Sequence, residues 1–170
     1  RLQPDSSKFV QARICHICLK LCRREQRGFL LNRYLIENVI DIDFEAKRMY
    51  LKNESGALVL VDLSAVFPSL SQTYLFKVLE RMGVPVNFQN ALHKLYENNL
   101  QFIKVDGITS PSFTVTSGVR QGCPLSPVLF ALALDPFLEY VVSKLPRSSL
   151  LRAYADDMAF VLSDQRLVSV

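Results

Sequence analysis

The sequence predicts an α+β fold, and three observations carry the prediction. The apolar runs "ALVLVDL" (57–63) and "LLRAYADDMAFVL" (150–162) have the length and the β-branched or aromatic content of strands. Between them stand three segments with helical spacing and punctuation, at 69–83, 85–99 and 127–142. The composition, 49% hydrophobic and 21% charged over 170 residues, supplies one sizeable core, in one domain or parts of two.

In chain order, residues 8–24 and 33–43 mix apolar and basic residues at helical spacing and predict two helices, joined by the turn-like "EQRGFLLN" (25–32). The breaker "NESG" (53–56) precedes the run at 57–63, whose unbroken apolar character predicts a buried strand. A helix over 69–83 has a serine start and a stop at Gly83, and another begins after Pro85. "QFIKVDG" and "SFTVTSG" predict a hairpin around "DGITSP" (106–111). The glycine-punctuated loop "SGVRQGCP" (117–124) feeds a long apolar helix, with Pro124 suited to its first turn and a kink near Pro136. Two strands then close around Asp156 and Asp157.

That long helix is interrupted by Asp135, Pro136 and Glu139, so it reads as a core helix, and "RLQPDSSKFV" lacks the order of a signal peptide. Nothing directs the chain to a membrane or to secretion. Cys15, Cys18 and Cys22 have the spacing of one helix face and also of half a zinc site, but no second cluster completes it. Helix packing is the preferred reading. Residues 1–33 hold eight Lys or Arg against two acids, and the rest twelve against fourteen. The N-terminal lobe, with Arg23, Arg24, Arg27 and Arg33, is expected to face an anionic partner.

The acids carry the chemistry. Asp62 closes one strand, and Asp156 and Asp157 occupy a hairpin turn. If the strands pair, three carboxylates meet at one sheet edge, where they repel unless a cation lies between them. Mg²⁺ or Mn²⁺ takes such oxygen ligands together with substrate phosphates, and two ions would serve an in-line phosphoryl transfer.

"DLSAVF", "SGVRQGCPLSPVLF" and "AYADD", in that order, with "EQRGFLLNR" and "IENV" upstream, resemble the reverse transcriptase domain of a non-LTR, LINE-type retrotransposon. The resemblance implies a right-hand polymerase fold: partial fingers at 1–55 and a palm at 56–170, built on a split βαβ sheet with packed helices, the palm truncated and the thumb absent. It implies that Asp62, Asp156 and Asp157 are catalytic and hold two Mg²⁺ (or Mn²⁺) ions. Phe67 would gate the incoming sugar. Arg120, Gln121, Gly122, Arg33 and Tyr154 would contact nucleotide or template, while Gln26, Gly28 and Phe29 would shape the finger. The implied partners are an RNA template, a DNA primer and deoxynucleoside triphosphates, with no membrane, in an intracellular, nuclear location; the resemblance sets no oligomeric state. A group II intron type reverse transcriptase or maturase, and an RNA-binding relic of the same fold, share these features. In two places the chain departs from the family pattern: Val66 and Pro68 flank Phe67, and "LLN" stands before Arg33 where the family often has Pro-Gly.

Overall fold

The computed structural model of the chain describes residues 20–169. Most of the first expected helix, with Cys15 and Cys18, lies outside the described residues. Its end is seen at Leu21 rather than at residue 24. The reason is a competing acceptor: the Arg23 N–H donates to the Asp135 carboxylate at 2.6 Å instead of continuing a helical ladder.

Helix α1 (Leu35–Leu51) runs past the expected limit at residue 43. Its second half is held by spaced ion pairs, Lys47 to Asp43 at 2.7 Å and Arg48 to Glu45 at 2.6 Å. Strand β1 (Ala57–Asp62) is followed by the short helix α2 (Val66–Ser69), then α3 (Gln72–Arg81) and α4 (Val86–Tyr96). Ser71 caps α3 by accepting from the Tyr74 N–H at 3.3 Å, and Gly83 follows it with φ of +71°, the left-handed stop read from the sequence.

The expected hairpin is nested. Strands β2 (Leu100–Gln101) and β5 (Phe113–Thr114) pair at its base, and β3 (Lys104–Val105) with β4 (Ile108–Thr109) at its tip. The turn is narrower than the predicted 106–111. It is Asp106–Gly107 alone, both with positive φ, the pair a two-residue turn demands.

Helix α5 (Ser126–Lys144) places Pro127, not Pro124, in its first turn. It is apolar all round, and such a helix belongs at the centre of a fold. One side (Leu129, Leu132) packs with Leu75 and Leu79 of α3 and Leu92 of α4. The other (Phe130, Leu134, Leu138) packs on the sheet. The helix passes through Pro136, which cannot donate to the ladder. The Tyr74 hydroxyl donates to the nearby Ala133 carbonyl at 3.0 Å, and burial pushes the pKa of that hydroxyl up.

The sheet is antiparallel, in the order β1, β7 (Asp157–Leu162), β6 (Leu150–Tyr154). Val61, Met158, Phe160, Leu151 and Ala153 join the core under α5. Strand β1 is not buried on both faces as its unbroken apolar run suggested. Leu58 and Leu60 are 53% and 73% exposed, because α1 packs over β6 and β7 and leaves the outer face of β1 uncovered.

Asp41 fastens α1 to β6. It accepts from Arg152 at 2.6 Å and from Arg27 at 2.7 Å. Burial pushes its carboxyl up, but the hydrogen bonds from Arg152 and Arg27 outweigh this and hold it below the usual carboxylate range. A depressed folded-state value means stability that is present above the unfolded value and is lost as pH falls through the folded one. Asp41→Asn is therefore expected to lose about 1–2 kcal/mol at neutral pH, between exposed and buried pairs. Thermal melts across pH should show the gap to wild type closing below about pH 4. A gap of constant size would assign the loss to packing.

Candidate active site

The pairing of β1 with β7 sets Asp62 directly opposite Asp157, and the pairing of β6 with β7 sets Tyr154 opposite Asp157. Only Ala155 and Asp156 remain in the connection. Asp157 is therefore the first residue of a strand, where the sequence reading had placed both acids in the turn. Its distance from Asp156 is one pleat, so the register directs Asp62 and Asp157 to the same face while Asp156 sits at the tip. Asp62 and Asp157 are exposed and Asp156 is half-buried.

Like charges directly opposite on paired strands destabilise a sheet. Among the described residues no three His, Cys, Asp or Glu side chains stand close enough together to hold a metal ion, so the register opposes Asp62 and Asp157 but the three acids do not converge as the sequence analysis expected. The donor set is an open edge, with Asp62 and Asp157 exposed and Asp156 half-buried. That edge fits a hard divalent cation that keeps positions for water or for substrate oxygens, and does not fit a closed structural site.

Both acid-bearing turns are backed by glycine loops. A Cβ on Gly28 would overlap the Ala155 backbone nitrogen and come within 2.9 Å of Ala155 Cα. One on Gly118 would come within 2.8 Å of Pro68 Cα. The Gly118 and Val119 N–H groups donate to Leu70 (2.7 Å) and Phe67 (3.0 Å) carbonyls, docking the "GVRQG" loop on the segment after Asp62. Gly118 thus needs both its positive φ and its missing side chain, whereas Gly122 has a φ of +78° and open space around it. Pro68 lies in the first turn of α2, where an N–H has no ladder partner to lose.

A row of aromatic rings joins these parts. Tyr154 lies 6.3 Å from Phe29, Phe29 lies 6.1 Å edge-on to Phe67, and Phe67 stacks on Phe130 of α5 at 4.5 Å. One side of Phe67 is core. Gln121 and Gly122 are exposed, and Gln121 and Arg120 line a cavity of about 290 Å³ with Pro68 and Gly118. The Arg120 guanidinium donates to the Leu95 carbonyl at 2.8 Å, tying the loop to the end of α4. A cavity of about 340 Å³ between α1 and the sheet is lined by Asp62, Asp157, Tyr154 and Arg152 together with Leu35 and Leu60. The larger groove between α3 and α4, about 870 Å³, touches none of the three acids. Asp62 and Asp157 thus border the smaller cavity and not the larger groove.

The structure departs from the expected N-terminal lobe of basic residues free to face an anionic partner. Arg33 donates to the carbonyls of Cys22 (2.9 Å), Arg23 and Gln26 (2.6 Å), so it pins the finger loop from within. Arg27 is held by Asn38, Asp41 and Glu37, and Arg23 by Asp135 and Glu139. Counting charges along a chain cannot see these partners. Arg24 is exposed. Asp135 is buried, and burial raises its carboxyl above the usual range despite the Arg23 N–H.

Sequence reading assigned Gln26 only to the shape of the finger. The structure puts its side chain on the acid-bearing turn: Oε1 accepts from the Ala155 and Gly28 N–H groups at 2.8 Å each, and Nε2 donates to the Ala155 carbonyl at 3.0 Å. The spacing of Gln26 and Gly28 was the available signal, but a sequence does not say which turn such a pair will meet.

Comparison with known proteins agrees with this geometry. The family described as "Reverse transcriptase (RNA-dependent DNA polymerase)" matches residues 5–168. The Pol polyprotein of the type-2 retrotransposable element R2DM of Drosophila melanogaster is 32% identical over 120 residues, covering 71% of this chain and 11% of its own length. A 149 kDa protein of transposon TX1 from Xenopus laevis is 27% identical over 169 residues, covering 93% and 13%. The chain thus spans about a tenth of these curated relatives. Among solved structures, apo telomerase from Candida tropicalis superposes with a TM-score of 0.73 at 14% identity, over 96% of this chain and 32% of that one, a likeness of fold. The arrangement of helices and sheet is consistent with the fingers and palm fold of a reverse transcriptase, a family that generally uses divalent metals. The chain belongs to the reverse transcriptase family, in its non-LTR retrotransposon branch.

Proposed function

We propose that this chain is the fingers (1–55) and palm (56–170) part of an RNA-directed DNA polymerase that adds deoxynucleotides to a primer 3′-OH and releases pyrophosphate. The observation that carries the reading is the register of β1 on β7, which sets Asp62 across from Asp157 with Asp156 one residue away. Two Mg²⁺ (or Mn²⁺) ions held by Asp62, Asp156 and Asp157 would supply the Lewis acidity of an in-line displacement. The chain's own part is alignment. Gln121 and Arg120 offer donors to the template or nucleotide, Gly122 lets a backbone approach them, and Tyr154 and Phe67 border the place of the incoming sugar. Arg33 acts through the loop it pins. The partners are an RNA template, a DNA primer and deoxynucleoside triphosphates. A retrotransposon's copy has to join chromosomal DNA, so we place the activity inside the cell, in the nucleus.

Primer extension by the full-length protein that carries this chain tests the reading. RNA-templated DNA synthesis is expected. Phe67→Ala should raise incorporation of ribonucleotides relative to deoxynucleotides by about tenfold or more, because the 2′-OH regains space where the ring stood. RNA binding with no nucleotide addition at any divalent ion concentration would leave an RNA-binding relic instead. Unchanged sugar preference in Phe67→Ala would make the ring a core residue only.

A further inference from the structure

The turn that carries Asp156 is short, and one of its two residues is strained. Ala155 has a φ of +58°, a left-handed conformation that an alanine disfavours. It is also buried, so its peptide groups cannot rely on water. Something else has to hold them. Gln26 does so with one side chain: the amide oxygen takes the Ala155 N–H, the amide nitrogen gives to the Ala155 carbonyl, and the same oxygen takes the Gly28 N–H. Gln26 is wholly buried, so none of these bonds is exchanged with solvent.

The support is itself built to be rigid. Residues 25–27 lie along the outer edge of β6 as a short parallel partner. Ala153 N–H donates to Glu25 (2.8 Å), Arg27 N–H donates to Ala153 (2.9 Å), and the Asn38 amide adds a second donor to Ala153 at 3.0 Å. Arg33 holds the Gln26 carbonyl from behind at 2.6 Å. Gly28 then closes on Ala155 with no room for a side chain. Each of these contacts fixes the position of Gln26, and Gln26 fixes Ala155.

We infer that Gln26 is a positioning residue for catalysis: its amide clamps both peptide groups of Ala155, and so sets where the Asp156 and Asp157 carboxylates stand relative to Asp62. The inference rests on the polymerase reading above. The chemistry explains the residue type. Asparagine is one methylene too short, and glutamate lacks the donor for the Ala155 carbonyl and would set a charged oxygen against it. Arginine or lysine could not accept from the two N–H groups. Glutamine offers an acceptor and a donor side by side at this reach without having to hold a proton.

Two measurements test it. In the wild-type protein, amide hydrogen exchange should show Ala155 protected like the neighbouring β-strand amides, although it lies in a two-residue turn; exchange as fast as in an open turn would overturn the clamp. In the full-length protein, Gln26→Met keeps the volume and removes the hydrogen bonds. With Asp156 and Asp157 displaced, kcat for nucleotide addition should fall about 10- to 100-fold while the nucleotide KM changes less than about threefold, since alignment rather than binding is lost. Mn²⁺ affinity, read from paramagnetic broadening near Asp156, should weaken in parallel. Gln26→Glu keeps both accepting contacts and should fall between Met and wild type. A folded Gln26→Met protein with wild-type kcat and wild-type Mn²⁺ affinity would make Gln26 a structural residue only. If Gln26→Met fails to fold, the Gln26→Glu variant decides on the same readouts. A wild-type protein that neither extends primers nor binds Mn²⁺ at these acids would remove the polymerase reading itself, and the inference with it, even with Ala155 protected.

Discussion

Asp62→Asn is expected to abolish nucleotide addition by the full-length protein and, in the absence of metal, to make the protein more stable. The loss follows from Asp62 facing Asp157 across β1 and β7: without its charge, the open edge of carboxylates no longer holds a divalent ion where phosphate oxygens could share it. The ion's stabilisation of developing charge amounts to several kcal/mol, so the rate should fall by about 10³-fold or more. The gain has the same origin. Opposed like charges cost about 0.2–1 kcal/mol on paired strands, and removing one should raise the metal-free melting temperature by about 1–3 °C. Added Mn²⁺ should then reverse the order, because it stabilises only the protein that binds it. Melting curves with and without Mn²⁺, beside a primer-extension assay, check all three. A variant less stable than wild type without metal would make Asp62 a structural carboxylate.

Gly28→Ala is expected to damage the molecule severely. The new Cβ would overlap the backbone nitrogen of Ala155 and stand 2.9 Å from Ala155 Cα. A backbone atom cannot move aside as a side chain can, so the cost should reach the upper end of overpacking, about 3 kcal/mol. For a protein of this size that is a drop of roughly 6–12 °C in melting temperature. The part that gives way is the Ala155–Asp156 turn, so the fraction that stays folded should also have lost most nucleotide addition. Gly107→Ala is the control: its φ of +81° makes alanine awkward there, but nothing stands near it and the acids are far along the chain. A Gly28→Ala protein that melts within a degree or two of wild type would show that the finger loop does not rest on this turn.

The parts legible in the sequence share a property: each is decided by residues close together in the chain. The stop of α3 at Gly83, the hairpin that spans 100–114 and the largely apolar α5 are local patterns with local causes, although α3 starts after Ser71 rather than at 69 and the turn is tighter than 106–111. Asp62 at a strand end was legible for the same reason, whereas Asp157, read as a turn residue, begins β7. What stayed hidden depends on partners far away. An unbroken apolar run at 57–63 cannot report that α1 will cover β6 and β7 and leave Leu58 and Leu60 open. Nor could Arg27 and Arg33 be told from surface charges before Asp41 and the carbonyls of residues 22, 23 and 26 were in place. Pro68 looked like an intrusion beside Phe67, and the first turn of a helix absorbs it.

The register of β1 on β7 also sets a timetable. Asp62 is synthesised 95 residues before Asp157, the residue it faces. At ordinary translation speeds that interval is about 5–20 s, longer than helices or local turns need to form. Helices α3, α4 and α5 all emerge in between and can begin to pack, while β1 waits with both edges unpaired and Leu58 and Leu60 bare. The carboxylates are therefore brought together only after the helices between their strands have emerged. A nascent polypeptide stalled before β7 would hold most of a folded core and none of the paired acids.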